Sequence, residues 1–458
     1  MPFLLNNTEE LNAELICKYI KMHQEVTIPR YQKLKDYYLG LHDIVRREPK
    51  RADDPCNNVV CNYAKYISDF AAGYLIGEPI AYQSDDQDLT DLLEWFKKAQ
   101  IDVQDMDNAK DQSIYGVAYE LDYMSSDESP IPKAASIHPS QAFVIYNNTV
   151  ELKPVAGVYY YEQRDVNTQM LSGWKVECST DTEYIKFDVT KDFAVNGEVT
   201  TEPNPFKGVT LIEIYNNNEL QGDFEQLIPL MDAYNMQQSS RVDDVENFVN
   251  SLMVLKGQTL GYNDEEKSET YNDIKRTGVI ELTPDSDLSF LTRQIDQNGN
   301  EVLRQSLADD IHKFSCVPSM TDKDFAANAS GVAMQYKLLG LNQITKVKER
   351  YFKEGLRERI QLFNAILEIK GKKPVDIDDI DIVITHSLPK NLVEIAQVIG
   401  NLEGICSKET LVSQLPFVED PAAEVEKAAE EKQAAMDNEF VMNTPRVDKN
   451  DQEREVLG

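Results

Sequence analysis

The feature that most constrains the fold is a helical pattern that runs without a proline from residue 335 to residue 371. Apolar residues recur there every three or four positions, which is typical of one face of an α-helix. At a rise of 1.5 Å per residue, a single helix of this kind would be about 55–60 Å long. Gly340 and Gly355 predict a bend in this helix rather than an end.

The segment before this helix reads DFAANASGVAMQ (324–335) and consists mainly of small residues. Small side chains bury little apolar surface, so the stability of a core does not explain them. One interpretation is an ordinary loop in which Ser330 caps the long helix. The other is a backbone that passes close to another molecule. The residues taken alone favour the ordinary loop.

The remaining periodicity predicts an α+β fold in which helices come first and strands follow. Residues 1–100 show mainly helical spacing, and short Tyr- and Val-rich segments from about residue 115 predict an antiparallel sheet. Asn196-Gly197 predicts a two-residue hairpin turn within that sheet.

Helical spacing returns at 223–248 and at 298–315, on either side of a β-rich insert. Three strands with one tight hairpin are predicted there, SLMVLKG (251–257), TGVIEL (277–282) and LSFLTRQI (288–295), together with a polar loop, GYNDEEKSETYND (261–273). The narrow apolar stripe of the first of these helices suits packing against neighbouring copies or bridging between domains.

The charge of the chain restricts the ways in which it can contact nucleic acid. It has 79 acidic and 46 basic residues, a net charge of −33. Tight binding to phosphates depends on clustered Lys and Arg, so a gripping nucleic-acid binder is excluded, whereas a protein that surrounds nucleic acid is not. The basic run Arg46, Arg47, Lys50 and Arg51 is the local exception. A solvated loop is its simpler interpretation, and contact with an acidic partner is the alternative.

Motifs for catalysis, metal binding and membrane insertion are absent from the sequence. It has no phosphate-binding glycine loop, no H-E-x-x-H and no G-x-S-x-G, and its five His are far apart. The cluster Asp376, Asp378, Asp379 and Asp381 alternates with Ile and predicts a solvated strand edge. We therefore expect no catalytic residues, no metal, no cofactor and no membrane span. The six scattered Cys predict reduced thiols in a cytoplasmic environment.

Several segments together resemble the portal proteins of tailed bacteriophages, of the type found in long-tailed phages of Gram-positive hosts. The similar segments are YYLGLHDIVRR (37–47), NNVVCNYAKYISDFAAGYLIGEPIAY (57–82), the small-residue segment followed by YKL (336–338), and KNLVEIAQVIGNLEGICSKETLVSQLPFV (390–418). The resemblance covers about residues 10 to 435, and the order of the segments makes it specific.

The resemblance implies a ring of about twelve copies with a domain order along each chain. A wing would occupy 1–222, stem helix 1 would occupy 223–248, the clip 249–297 and stem helix 2 298–316. A tunnel loop would follow at 317–332, the long helix and the return to the wing at 333–389, the crown at 390–436, and a disordered acidic tail at 437–458.

With this resemblance, the interpretation of the small-residue segment as a backbone close to another molecule is favoured over an ordinary loop. In the family, this segment protrudes into a DNA channel. The implied tunnel-loop residues are Asp322, Lys323, Asp324, Phe325, Ala326, Ala327, Asn328, Ala329, Ser330 and Gly331. Acids on the stem helices would then repel DNA from the channel wall, and the candidates are Glu225, Asp232, Asp243, Asp244, Glu246, Asp309 and Asp310.

The implied function is a non-enzymatic channel at one capsid vertex for packaging and ejection of double-stranded DNA. Its implied partners are the terminase large subunit, a head-completion adaptor, and the major capsid and scaffolding proteins, with assembly in the host cytoplasm. A helical scaffold or adaptor that does not conduct DNA is the first alternative. A carboxylate-dependent nuclease is the second, and only the Asp376–Asp381 cluster favours it.

Overall fold

A computed structural model of the chain describes residues 3–6, 9–52, 54–249, 252–257, 259, 261–277, 282–291, 297–320, 336–386, 392–415, 418, 421, 424–425, 427–429 and 431. The chain divides into two compact units. The first contains residues 1–320 and 337–387, and the second contains residues 321–336 and 388–458.

The first unit begins with a short strand followed by helices, as the helical spacing predicts. Asn12 caps the first helix by accepting a hydrogen bond from the backbone N–H of Leu15. A π-helical turn, His23–Thr27, joins the first two helices. The helices of this part are α1 (Ala13–Met22), α2 (Ile28–Tyr38), α3 (Tyr63–Leu75), α4 (Thr90–Ala99) and α5 (Ile101–Tyr115).

The strands of this unit form two larger sheets in which most neighbours are antiparallel. A three-stranded sheet has the order β10-β3-β4, and a six-stranded sheet has the order β1-β5-β6-β7-β8-β9, in which β1 pairs in parallel with β5. A short pair, β2 with β13, joins distant parts of the chain. The strands are β1 (Phe3–Leu5), β2 (Ala81–Gln83), β3 (Val117–Met124), β4 (Pro132–Ile137), β5 (Ala142–Asn147), β6 (Pro154–Arg164), β7 (Leu171–Ser179), β8 (Glu183–Thr190), β9 (Val195–Pro203), β10 (Leu211–Tyr215) and β13 (Asp381–Val383).

The hairpin turn predicted at Asn196-Gly197 is wrong. Both residues lie inside β9, and the chain reverses earlier, between Thr190 and Val195. The register shifts here, since Lys186 pairs with Thr200 but Asp188 pairs with Asn196. Gly197 has a φ of +85°, so the positive φ that favours Asn-Gly in turns serves a bulge in this strand.

The long helix α9 (Leu339–Ile369) is the centre of the larger core. Its Phe352, Leu356, Ile360 and Phe363 are fully buried and pack with residues of α3, α4, α5 and the three-stranded sheet. Gly355 lies against β10, and the bend predicted at Gly340 and Gly355 stays a prediction. A Cβ atom there would come within 2.7 Å of the Ile214 side chain, so glycine permits close approach of helix and sheet.

A buried ion-pair cluster lies inside this core. The Arg359 guanidinium on α9 is completely buried and donates to Glu120 on β3 and to Asp105 on α5, at 2.5 and 2.6 Å. Asn108 donates a further hydrogen bond to Glu120. Burial raises the pKa of Asp105 to about 6, because the loss of hydration outweighs the attraction of Arg359. The cluster therefore depends on Arg359 for its charge balance.

Asp122 lies beside this cluster and supports a prediction about pH. Its side chain is buried, and neither carboxylate oxygen has a hydrogen-bond partner among the described residues. Burial, with Glu120 nearby, raises the pKa of Asp122 well above its usual range. The folded state therefore binds a proton that the unfolded state releases, and stability falls as pH rises from the unfolded pKa towards the folded pKa.

We expect Asp122→Asn to remove this pH dependence. The free energy of unfolding of Asp122→Asn, minus that of the unchanged protein, should rise by about 1.4 kcal/mol for each pH unit between pH 5 and the folded-state pKa of Asp122. Urea unfolding at pH 5, 6, 7 and 8 measures this slope, and Asp127→Asn in an exposed bend serves as control. Parallel pH profiles for Asp122→Asn and the control would contradict the prediction.

A helix, an insert and a second helix extend the first unit after β10, as the periodicity predicts. A 3₁₀ turn (Glu225–Leu227) leads into α6 (Ile228–Val249), and α8 (Gln297–Ser315) follows the insert. Within the insert, β11 (Leu252–Lys256) pairs antiparallel with β12 (Asp287–Leu291). The polar loop expected at 261–273 is wrong, because α7 (Asp264–Thr277) occupies most of it. Asn263 caps α7 by accepting from Glu266 N–H, so these polar residues start a helix.

The second unit contains α10 (Leu392–Leu402) and α11 (Lys408–Val412). Ser407 accepts a hydrogen bond from the backbone N–H of Thr410 and caps α11. The expected tail at 437–458 lies outside the residues that the structure describes.

Candidate functional site

The helices α6 and α8 lie side by side and contact each other through polar groups. The Gln237 side chain donates to the carbonyl of Asn300 at 2.8 Å. Arg241 on α6 pairs with Glu301 on α8 at 3.1 Å, and Arg304 pairs with the same carboxylate at 2.6 Å. Polar contacts of this kind suit the narrow apolar stripes of the two helices.

Asp243, predicted to face a channel, is buried inside the subunit. Its carboxylate lies 2.9 Å from the Arg47 guanidinium and accepts hydrogen bonds from the backbone and side-chain nitrogens of Asn57, at 2.7 and 3.0 Å. Asp243 is therefore not an outward-facing acid. Arg47 and Asn57, from the chain between α2 and α3, form an ion pair and hydrogen bonds with its carboxylate. This corrects the interpretation made from sequence.

Two further candidate acids are also engaged within the chain. Glu225 pairs with Arg30 on α2 at 2.6 Å, and Asp232 accepts a hydrogen bond from the Tyr37 hydroxyl at 2.8 Å. The remaining candidates are more accessible. Glu246 and Asp309 are exposed, while Asp244 and Asp310 are partly exposed. Glu246 accepts from Asn57 at 2.8 Å and Asp309 accepts from Gln305 at 2.8 Å.

The segment predicted to protrude into a channel begins directly after α8. Cys316 has a φ of +58°, which ends the helix in the left-handed conformation, and Pro318 follows two residues later. The long helix α9 returns to the same place, since a Cβ atom on Gly340 would lie 3.4 Å from the Cβ of Cys316. The two flanks of the small-residue segment are therefore adjacent.

Tyr66 and His312 hold the first described residues of this segment. The Tyr66 hydroxyl on α3 donates to the carbonyl of Pro318 at 2.9 Å and lies 3.4 Å from Met320 N. An imidazole nitrogen of His312 lies 3.0 Å from the carbonyl of Val317, which is itself buried. The helical pattern of α3 shows no sign of this role, since Tyr66 is one of several Tyr on that helix.

The predicted tunnel-loop residues themselves, Asp322, Lys323, Asp324, Phe325, Ala326, Ala327, Asn328, Ala329, Ser330 and Gly331, lie outside the described residues. Their role remains a prediction from the resemblance. The structure contributes the geometry of both flanks, 317–320 and 337–341.

We expect Tyr66→Phe to loosen the start of this segment. The change removes the hydroxyl but keeps the ring, so it should cost about 0.5–1.5 kcal/mol locally, the usual net value of one hydrogen bond. Hydrogen–deuterium exchange of a peptide that contains residues 316–320 should become several-fold faster. Tyr262→Phe, in an exposed turn, is the control. Unchanged exchange at 316–320 would show that Tyr66 does not anchor the segment.

The carboxylate cluster that would favour a nuclease lies at the protein surface. Asp376, Asp378, Asp379 and Asp381 are exposed, and β13 lies at a sheet edge paired with β2. Within the described ranges, no group of three or more His, Cys, Asp or Glu is arranged to hold a metal ion. The six cysteines are free thiols, with Cys17 and Cys178 buried. Among the same residues, no helix is both long and apolar enough to cross a membrane.

Comparison with known proteins identifies the class to which this fold and segment order belong. The family model described as "Phage portal protein, SPP1 Gp6-like" matches residues 17–438. The chain therefore belongs to the SPP1 Gp6-like family of phage portal proteins, as the resemblance predicts, and it is a virion component.

Two relatives and one solved structure illustrate the similarity. The chain is 26% identical to the portal protein of Bacillus phage SPP1 over 94% of this chain and 91% of that protein. It is 23% identical to the portal protein of Clostridium phage phiCD119 over 84% of this chain and 89% of that protein. A structure described as "Neck of native GTA particle computed with C12 symmetry" aligns with a TM-score of 0.46 and 12% identity, covering 78% of this chain and 89% of that one.

Proposed function

We propose that this protein forms a ring of about twelve copies at one capsid vertex and that DNA passes through the ring during packaging and ejection. The observation that carries the proposal is the portal family match over residues 17–438. The order α6, insert, α8, small-residue segment, α9 supports it, and so does the adjacency of the two described flanks at Cys316 and Gly340.

The proposed roles follow the segment order. Helices α6 and α8 form the stem, the insert at 249–297 contacts the terminase large subunit and later a head-completion adaptor, and residues 317–332 approach the DNA. Residues 390–436 form the crown inside the capsid. Major capsid and scaffolding proteins are the proposed partners during assembly in the host cytoplasm. ATP hydrolysis belongs to the packaging motor, and this chain acts as a channel and docking platform.

The strongly acidic composition supports a channel that does not grip DNA. With a net charge of −33 on each chain, the ring repels the phosphates and keeps the duplex mobile. The accessible stem acids Glu246 and Asp309 are the proposed contributors, whereas Asp243 serves an internal ion pair.

Two measurements test the proposal. Native mass spectrometry and class-averaged electron micrographs of the purified chain should give a closed ring with a central hole. A monomer or dimer at every salt and protein concentration would favour a scaffold or adaptor instead.

In a packaging reaction, Glu246→Gln with Asp309→Asn should change the packaging rate and its salt dependence relative to Glu128→Gln in an exposed turn. Identical packaging rates and salt dependence in the two proteins would show that Glu246 and Asp309 do not affect the passage of DNA.

A further inference from the structure

A cavity of about 790 Å³ lies between α2, the sheets and α9, and its walls are rich in tyrosine. Glu213 on β10 lines it and accepts hydrogen bonds from the hydroxyls of Tyr119, Tyr146 and Tyr215, at 2.7, 2.7 and 3.2 Å. His23 lines the same cavity. It is buried, and its Nε2 has no hydrogen-bond partner among the described residues. A cavity with aromatic walls and a carboxylate suits an organic cation.

The acids that line this cavity outnumber the cations available to them. The lining cations Arg30 and Lys153 already pair with Glu225 and Glu151, at 2.6 and 2.7 Å. Glu354 and Glu358 line the cavity from successive turns of α9, and neither forms an ion pair within the described ranges. Loss of hydration, together with the neighbouring carboxylates of Glu354 and Glu213, raises the pKa of Glu358 to about 7. A positive charge would relieve this repulsion.

The basic run singled out in the sequence lies on a loop whose base is fixed. Arg47 pairs with Asp243 on α6, and the Asn58 side chain donates to the carbonyls of Val45 and Arg47, at 3.2 and 3.1 Å. Beyond this base, Lys50 and Arg51 are exposed, and neither forms an ion pair with a described residue. The loop therefore presents two cations that have no ion-pair partner among the described residues, and its base is held by the contacts of Arg47 and Asn58.

We propose that Lys50 and Arg51 of one subunit bind in the acidic, tyrosine-lined cavity of the neighbouring subunit. The inference rests on the proposed ring. A ring of identical subunits needs a head-to-tail interface, in which two different patches of the same chain are complementary. A chain of net charge −33 repels its own copies, so contacts that join opposite charges have the largest effect on assembly. Arg51 can also stack on tyrosine, which adds a cation–π contact.

Charge reversal with a rescue arm tests the contact in the full-length chain. Lys50→Glu with Arg51→Glu should raise the protein concentration needed for half-maximal ring formation at least about tenfold, and Glu354→Lys with Glu358→Lys should do the same. All four changes together should restore assembly towards the unchanged protein. Lys191→Glu and Glu198→Lys, both on exposed parts of the β8–β9 hairpin, are controls that reverse one charge each.

Zero-length carbodiimide crosslinking of rings mixed from ¹⁴N- and ¹⁵N-labelled chains locates the contact. A mixed-isotope crosslink between Lys50 and Glu354 or Glu358 is the expected result. Rings that form normally in both reversed variants, or that crosslink Lys50 elsewhere, would overturn this inference while leaving the ring intact. Reversed variants that assemble normally but retain less duplex DNA would also overturn it, in favour of a DNA contact. Failure of the unchanged chain to form rings would instead overturn the proposed function.

Discussion

Replacement of Arg359 with Met is expected to lower the free energy of unfolding by about 3–5 kcal/mol. Arg359 is completely buried and is the cation for both Asp105 and Glu120. Methionine fills similar space but leaves two buried carboxylates without a counter-charge. The defect should shrink as the pH falls from 8 to 5, because the pKa of Asp105 is raised to about 6 by burial and its protonation removes one of the two buried negative charges. Urea unfolding followed by tryptophan fluorescence measures both effects, since Trp95 lies in the same core.

Two further variants separate charge from packing. Arg357→Met, two residues earlier on the exposed side of α9, should change stability by less than about 1 kcal/mol. Arg359→Met combined with Asp105→Asn and Glu120→Gln should recover much of the loss, because a neutral cluster no longer needs a cation. A triple variant as unstable as Arg359→Met alone would show that packing, and not charge, sets the cost.

Replacement of Lys348 with Met is expected to cost about 2–4 kcal/mol. The Lys348 ammonium on α9 contacts the carboxylate of Asp223, the residue that leads into the 3₁₀ turn before α6, and both side chains are largely buried. The Ser113 hydroxyl and the Asn216 amide also donate to this carboxylate, at 2.6 and 3.0 Å. These donors remain in the variant, so the loss should be smaller than at Arg359.

This ion pair connects the start of α6 to α9, so its removal should act locally as well as globally. Hydrogen–deuterium exchange should accelerate most in peptides covering residues 223–235. Lys346→Met, on an exposed position of the same helix, is the control and should leave exchange unchanged. Equal exchange in the two variants would show that Lys348 does not hold the start of α6.

How well the sequence predicts an element of the structure depends on the type of sequence pattern. Long periodic segments were predicted correctly, since α6, α8 and α9 appear where the apolar spacing places them. Short polar segments were not. Asn, Asp, Glu and Ser were interpreted as a loop at 261–273, yet Asn263 and Glu266 begin α7. The same residue types favour helix starts and turns, so composition alone does not separate the two.

Positions of individual side chains were the least predictable. Asp243 and Asp309 look equivalent in the sequence, as acids on the two helices that flank the insert. In the structure, one is buried against Arg47 and the other is exposed. Gly355 stands out in the sequence only as a possible bend, and the structure shows that it permits close contact with Ile214 on β10. Both outcomes depend on residues that are distant in the chain.

The sequence by itself determined the class of fold, the helix–insert–helix order, the family and the excess of negative charge, because these depend on local periodicity, segment order and composition. Tertiary structure alone decided which charges neutralise one another. Pairs such as Arg359 with Glu120, Lys348 with Asp223, and Arg47 with Asp243 join residues more than 100 positions apart. Burial then sets their energetic importance, since the cost of an unpaired charge arises from the loss of water and not from the residue type.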